Sequence, residues 1–420
     1  MYPAFFHPPA QPLHTAQQEV ARMLAETRFS VRAPALDQKR KYCWKNIDAM
    51  VKHGLMGMTI PEEYGGKGAT LYEACLVAEE IARHCTLTAR VFVEANMGAI
   101  GAIMLYGTHE QKQLCASLVL KGDKPAICMS EPHAQNAANQ MLTTARRQGS
   151  SYILNGHKHW ITGGGISKLH LVFARVQDER GNDEGMGAFL VIRDRTCGID
   201  PEGFRITGHE DTLGLRGMPE TRIEFNNLEV ASHMRLETPD GFSDLMAVYN
   251  AQRIGAGVIA MGVASAALDE AKHHMHERAS SGHLLAELQG LQGIIADMDT
   301  AVYTSRLLLH EAAKSTGPFA HHTPDATMAA RAKLFASEAA LKVINQAFQI
   351  FGARGFRVEE KMERMYRDVR MLTIGGGTAE MLRNQIATSV LAFKTPKPCN
   401  EDPRALHTKT RTTAFIEAAE

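Results

Sequence analysis

The stretch LNGHKHWITGGGISKLHLVFARV, residues 154–176, decides how the chain is to be read. Within it Leu169, Leu171 and Phe173 alternate with their neighbours, the period-2 signal of a strand with one buried face. Asn155-Gly156 and the glycines 163–165 are turn chemistry that separates or flanks such runs. Working outward, Ala188 to Ile192 is a short apolar run. Ile223 and Phe225 alternate with Arg222 and Glu224, and ERGNDEG (179–185) and TPDG (238–241) supply further turns. Residues 127–236 therefore read as a domain of short strands, a barrel or a sandwich. Trp160, alone among these strands, reads either as core or as the wall of a flat ligand.

On both sides the texture changes. Residues 1–126 read as a helical domain, with Leu71–Arg83 and Ala89–Leu105 as helical stretches and IPEEYGGKG (60–68) as a turn. Residues 237–395 are helical again. Leu334, Leu341, Ile344, Phe348 and Phe351 recur near helical spacing, and Gly352 follows as a helix stop. Residues 396–420 read as a polar, loose tail. The predicted fold class is mainly α with a central β domain.

Composition narrows the function classes. The 420 residues carry 46 basic and 46 acidic side chains, so the balance gives no global electrostatic case for nucleic acid or an anionic membrane. The seven cysteines form no CxxC pair and their count is odd, which predicts reduced thiols, neither a disulfide framework nor a zinc site. The histidines show no HExxH or comparable ligand spacing, so no metal is expected. No uninterrupted apolar run reaches about 18 residues, and MYPAFFHPP lacks the basic start and apolar core of a signal peptide. A cytoplasmic location is the expectation.

Six phrases in order carry more. GLMGMTIPEEYGG (54–66), CMSEPHAQNAANQ (128–140), LNGHKHWITGG (154–164), LGLRGMPETRIEF (213–225), QIFGARGF (349–356) and YRDVRMLTIGGGT (366–378) together resemble the acyl-CoA dehydrogenase family over about residues 15–393. The resemblance implies an N-terminal helical domain, a β-barrel domain and a C-terminal four-helix bundle, assembled as a homotetramer around FAD. It implies that Ile127, Met129 and Ser130 line one side of the isoalloxazine and Trp160 and Thr162 the other. It places Arg278, Ser280 and Gln289 on the FAD of a neighbouring subunit, and Gln349, Gly352, Thr378 and Glu380 on pyrophosphate and adenine. Coenzyme A falls to Asn136, Asn250 and Arg253. One departure stands out: the family's small Gly-Ala-Gly-Ser turn is here His133, Ala134, Gln135 and Asn136, which makes close backbone approach harder.

A second departure bears on the reaction. Dehydrogenation of a thioester needs a carboxylate to take the α proton. The family's usual Glu position is Gly376 here, and the alternative one, before Arg253, is Gln252. Neither side chain accepts a proton at neutral pH. The Gly376 amide survives, and by resemblance it polarises the thioester carbonyl. Arg90 sits on the helix that faces the acyl end in the family. By spacing it pairs with Glu94 at i+4. A buried guanidinium otherwise needs an anion and offers a fork for one. Gly376, Gln252 and Arg90 together resemble the family's desulfinase branch. There the implied reaction takes 3-sulfinopropanoyl-CoA and water to propanoyl-CoA and sulfite, as a hydrolase acting on a carbon–sulfur bond. Arg90 would read the sulfinate and Gln252 would orient substrate or water. The alternative is a FAD-dependent dehydrogenase or enoyl-CoA reductase for an acidic or polar acyl-CoA with a relocated base, Glu94 being the first candidate. A non-catalytic DNA-binding flavoprotein is disfavoured by the charge balance.

Overall fold

The computed structural model describes residues 15–134, 137–193, 200–317 and 323–392. The N-terminal part is built from α1 (Ala16–Leu24), which runs through a π turn into α2 (Ser30–Gln38), then α3 (Trp44–Lys52), α4 (Leu71–Ala82), α5 (Thr86–Asn96), α6 (Ala99–Tyr106) and α7 (His109–Leu120). Side chains set several helix starts. Thr70 and Glu73 form a reciprocal capping box on α4, and Thr108 and Gln111 repeat it on α7. The predicted single helix over 89–105 is two. It breaks at Met97–Gly98, where Gly98 takes φ +81° and ψ −120°, a conformation open essentially to glycine alone.

The middle part is one eight-stranded sheet. Its strands are β1 (Ala126–Cys128), β2 (Thr144–Gln148), β3 (Ser151–Thr162), β4 (Leu169–Gln177), β5 (Asp183–Ile192), β6 (Phe204–Glu210), β7 (Glu220–Ala231) and β8 (Arg235–Leu236). The order is β6-β7-β3-β2-β4-β5-β8, with β1 parallel to β4. The sheet curls around its own core of Leu154, Val172, Phe189, Ile223 and Phe225. Phe204 on β6 meets His170 on β4 edge-on at 5.1 Å, although those strands are not neighbours. Asn155-Gly156 is not a turn between strands. It lies inside β3 as a bulge, and a Cβ on Gly156 would fall 2.6 Å from Thr143 Oγ1. The glycine serves a close approach within the sheet.

The C-terminal part contains α8 (Phe242–Glu277), a short hairpin of β9 (Ala279–Ser280) and β10 (His283–Leu284), then α9 (Gln289–Lys314), α10 (Ala326–Phe351), α11 (Lys361–Val369) and α12 (Ala379–Leu391). α10 packs on α8, α9, α11 and α12, and α8 also packs on α4, so one hydrophobic core joins both helical parts. Gly352 caps α10 at φ +57°, as its place in the sequence predicts. By length and composition, the stretches Thr86–Tyr106 and Phe242–Glu277 could each cross a membrane, although neither is an uninterrupted apolar run. Both are core helices here, with 94% and 89% of their most apolar windows buried inside the fold.

Asp37 at the end of α2 ties the three parts together. Its carboxylate accepts from Arg216 Nε (3.0 Å) and Nη2 (2.8 Å), ahead of β7, and from Arg367 Nη1 (3.0 Å) and Nη2 (2.7 Å) on α11.

Candidate active site

The end of β1 and the following loop are pinned by a buried ion pair. Glu131 accepts from Lys158 Nζ at 2.8 Å and from the amides of Leu142 (2.6 Å) and Thr143 (3.0 Å). Lys158 also donates to the Met129 carbonyl at 3.1 Å, and the His159 amide donates to the Ser130 carbonyl at 2.9 Å. Burial would neutralise Glu131, yet Lys158 and the amides hold its carboxyl below its ordinary range. These bonds bring Met129 and Ser130 beside β3, with Ile127 and Met129 packed against the helical core. On β3, Trp160 takes φ +58° at a second break in register and is 54% exposed, with its indole stacked on His159. A large aromatic held in an uncommon backbone conformation and turned outward fits a flat ligand better than core packing.

Thr162 ends β3, and its hydroxyl donates to both carboxylate oxygens of Glu220 at 3.0 Å. That proton is committed to Glu220. The sequence reading did not single out Glu220. It opens β7, directly across from Thr162, and burial pushes its carboxyl up to about 7. Arg90 on α5 is buried, and its Nε lies 2.7 Å from Glu94 Oε1. The contact is a buried ion pair between side chains one helical turn apart. Glu94 also pairs with Lys124, which donates to the Thr162 carbonyl at 2.8 Å. The i+4 pair predicted from spacing therefore exists. It makes Glu94 an awkward base, because taking a proton there would weaken two buried ion pairs.

The other wall is α8 and the loop 375–378. Gln252 is buried and its Oε1 has no hydrogen-bond partner. It fills the space beside Gly98: a Cβ there would stand 2.0 Å from Gln252 Oε1. One turn of chain thus opens α5–α6 for a side chain 154 positions on. Arg253 donates to the Gly376 carbonyl (3.2 Å), to Asn250 Oδ1 (2.8 Å) and to Gln385 Oε1 (3.1 Å). Gly376 itself takes φ +75°. Below the loop, Lys333 of α10 is 0% exposed and donates to the Gly377 carbonyl at 2.7 Å. Burial, then Arg253 and Arg90, lower its ammonium to about 8. Lys333 was also missed from sequence, yet a signal existed: it falls on the helical stripe of Ala329, Ala336 and Ala340, all buried. Arg90 and Lys124 thus meet two carboxylates, Glu94 and Glu220, while Lys333 lies near Arg90 and Arg253.

The remaining predicted residues lie elsewhere on the chain. Arg278, Ser280 and Gln289 are exposed on and beside the β9–β10 hairpin, and Gln349 and Gly352 are exposed at the end of α10. Thr378 caps α12 by accepting from the Met381 amide at 3.3 Å. Thr378 and Glu380 line a cleft together with Asn345, Tyr366 and Arg370. Asn136 lies outside the described residues.

Models of the N-terminal, middle and C-terminal domains of acyl-CoA dehydrogenase match residues 11–123, 126–228 and 239–391 in turn. The chain belongs to the acyl-CoA dehydrogenase family. Among its relatives is the 3-sulfinopropanoyl-CoA desulfinase of Cupriavidus necator, 49% identical over 392 residues, which covers 92% of this chain and 97% of that one. The enzyme of the same name from Variovorax paradoxus is 49% identical over 384 residues, covering 90% and 94%. Of solved structures, the butyryl-CoA dehydrogenase of Megasphaera elsdenii superposes with a TM-score of 0.83 at 28% identity, over 90% of this chain and 98% of that one. This acyl-CoA dehydrogenase fold accounts for the layout above: a β domain lies between two helical parts in the chain, with Arg90 on α5, Glu220 on β7 and Gln252 on α8.

Proposed function

We propose that this chain is a FAD-containing desulfinase that converts 3-sulfinopropanoyl-CoA and water into propanoyl-CoA and sulfite without net oxidation. The observation that carries the reading is a buried guanidinium, Arg90, paired with Glu94 through its Nε, in a chain whose two family base positions are Gly376 and Gln252. A site built this way can hold an anionic acyl end yet has no carboxylate at either of the family's base positions for an α proton. The relatives named for this reaction support the same substrate.

The residues present fit a flavin. Trp160 offers an outward indole, Met129 and Ser130 are pinned opposite by Glu131 and Lys158, and Thr378 and Glu380 line a cleft at the start of α12. FAD held there would supply a flat, redox-capable ring beside the acyl chain. Ile127 and Thr162 complete that slot, while Gln349, Gly352 and, from a neighbouring subunit, Arg278, Ser280 and Gln289 hold the rest of the cofactor. Exposure of the β9–β10 hairpin supports the intersubunit role and a homotetramer. Asn250 and Arg253, with Asn136, take coenzyme A. Arg90 binds the sulfinate oxygens through the edge of its fork that faces away from Glu94. Gln252, whose carboxamide oxygen lies beside Gly98 without a hydrogen-bond partner, orients substrate or water. The Gly376 amide holds the thioester oxygen. The proposed setting is the cytoplasm.

The test is sulfite release from 3-sulfinopropanoyl-CoA with no electron acceptor present. Sulfite and propanoyl-CoA in equal amounts are expected. A folded, flavin-loaded protein that releases none, and instead reduces its flavin with acidic acyl-CoA thioesters, would overturn the reading in favour of a dehydrogenase.

A further inference from the structure

We propose that Glu220 is a further catalytic residue, the proton carrier of the carbon–sulfur cleavage, and this rests on the desulfinase reading. Breaking the bond hydrolytically joins a water oxygen to sulfur and leaves the C–S electron pair on the β carbon. That carbon is two atoms from the thioester carbonyl and one beyond the position the thioester can stabilise. A carbanion there has no electron sink in the acyl group, so a proton must arrive as the bond breaks. Protonated Glu220 gives its proton to the β carbon while the water forms its bond to sulfur. The water's proton returns to the Glu220 carboxylate. In sum, the sulfinate and water become a methyl group and hydrogen sulfite, with charge unchanged and Glu220 restored.

The placement of Glu220 suits this. It opens β7 and is partly exposed, and Arg90 of α5 is its strongest charged neighbour. Thr162 stands directly across from it on β3 and contacts the two oxygens equally, which fixes the carboxyl plane without occupying either oxygen fully. Charged groups reach it from every side. Arg90 and Glu94 come from α5, and Lys124 from the segment before β1. Tyr249 of α8 lies beside Arg90. Glu210, its cross-strand partner on β6, is taken by His159 at 2.9 Å and Arg222 at 3.1 Å. Desolvation is the largest influence and favours the neutral acid. Arg90 opposes it, Glu94 reinforces it, and the group is left near neutrality, where a proton carrier works best. A sulfinate on Arg90 would offset that cation and favour the acid further.

The experiment compares sulfite release by the wild-type holoenzyme, Glu220→Gln and Glu220→Asp across pH. Wild-type kcat is expected to fall as pH rises through a midpoint at or above about 7, because the acid form is the donor and bound sulfinate favours it. Glu220→Gln keeps the Thr162 contact and is expected to retain flavin absorbance and KM. Its kcat should drop about 100-fold or more and no longer vary with pH in that range. Glu220→Asp should recover part of kcat with a displaced pH midpoint, which a merely structural carboxylate would not produce. Near-wild-type turnover by Glu220→Gln, or an unchanged pH profile in it, overturns the proposal while leaving the desulfinase reading intact. Should Glu220→Gln lose its flavin, an unchanged midpoint in Glu220→Asp overturns it equally. Absence of sulfite from the wild type removes both.

Discussion

Substituting Gly98 tests the contact that shapes the site. Two costs follow from the geometry. Gly98 sits at φ +81° and ψ −120°, and forcing an alanine into such a conformation costs about 1–3 kcal/mol. Its new Cβ would also lie 2.0 Å from Gln252 Oε1, 3.0 Å from Cδ and 3.3 Å from Cβ of the same side chain. Gln252 is buried on α8 and cannot swing into solvent, so the overlap adds about 1–3 kcal/mol of overpacking. Gly98→Ala should therefore lose about 2–6 kcal/mol, a large part of a typical net stability. Urea unfolding followed by circular dichroism measures it, and kcat/KM for sulfite release should fall in parallel as Gln252 is displaced. The double-mutant cycle with Gln252→Ala separates the two costs. Removing the glutamine side chain abolishes the overlap and leaves the backbone cost, so the pair should couple by about 1–3 kcal/mol. Additivity within about 0.5 kcal/mol would refute the claim that Gln252 occupies the space Gly98 leaves.

Two more outcomes are expected. Arg90→Lys keeps the charge but loses the fork; one missing charge-assisted hydrogen bond is worth about 1.5–3 kcal/mol, so kcat/KM for sulfite release should fall about 10- to 100-fold, and unchanged kinetics would remove Arg90 from substrate recognition. Asp37→Asn should loosen the joint between the three parts of the chain. Arg367 and Arg216 hold the Asp37 carboxyl at about 2 against 3.8, a depressed value, so its stabilisation is full above pH 3.8 and disappears as pH falls through 2. That is roughly 2 kcal/mol. The stability gap between wild type and variant, followed by chemical unfolding, should narrow between pH 4 and 2.5. A gap independent of pH would show that the ion pairs contribute nothing.

Much of this protein is legible in its residues. The helical, β, helical order follows from local periodicity, and LHLVFARV did become β4 over Leu169–Gln177. The loss of a carboxylate at Gly376 and Gln252 is a matter of residue identity, since no folding can give either side chain a proton-accepting oxygen at neutral pH. The Arg90–Glu94 pair is one helical turn apart and readable from spacing. Where local rules erred, a contact distant in sequence had intervened. Asn155-Gly156 carries turn chemistry, yet Thr143 packs against Gly156 and the pair became a bulge. Ala89 to Leu105 has helical composition, yet Gly98 interrupts it to admit Gln252. Glu220 shares its strand with the alternating Ile223 and Phe225, and no period states that an acid at the strand's first position will face Thr162 and feel Arg90. Local sequence determines which elements form and which side chains can do chemistry. Only the tertiary structure decides which of them meet, because burial and charge pairing are set by neighbours tens to hundreds of positions away, and those neighbours made Glu220 a proton carrier and Glu94 a clamped anion.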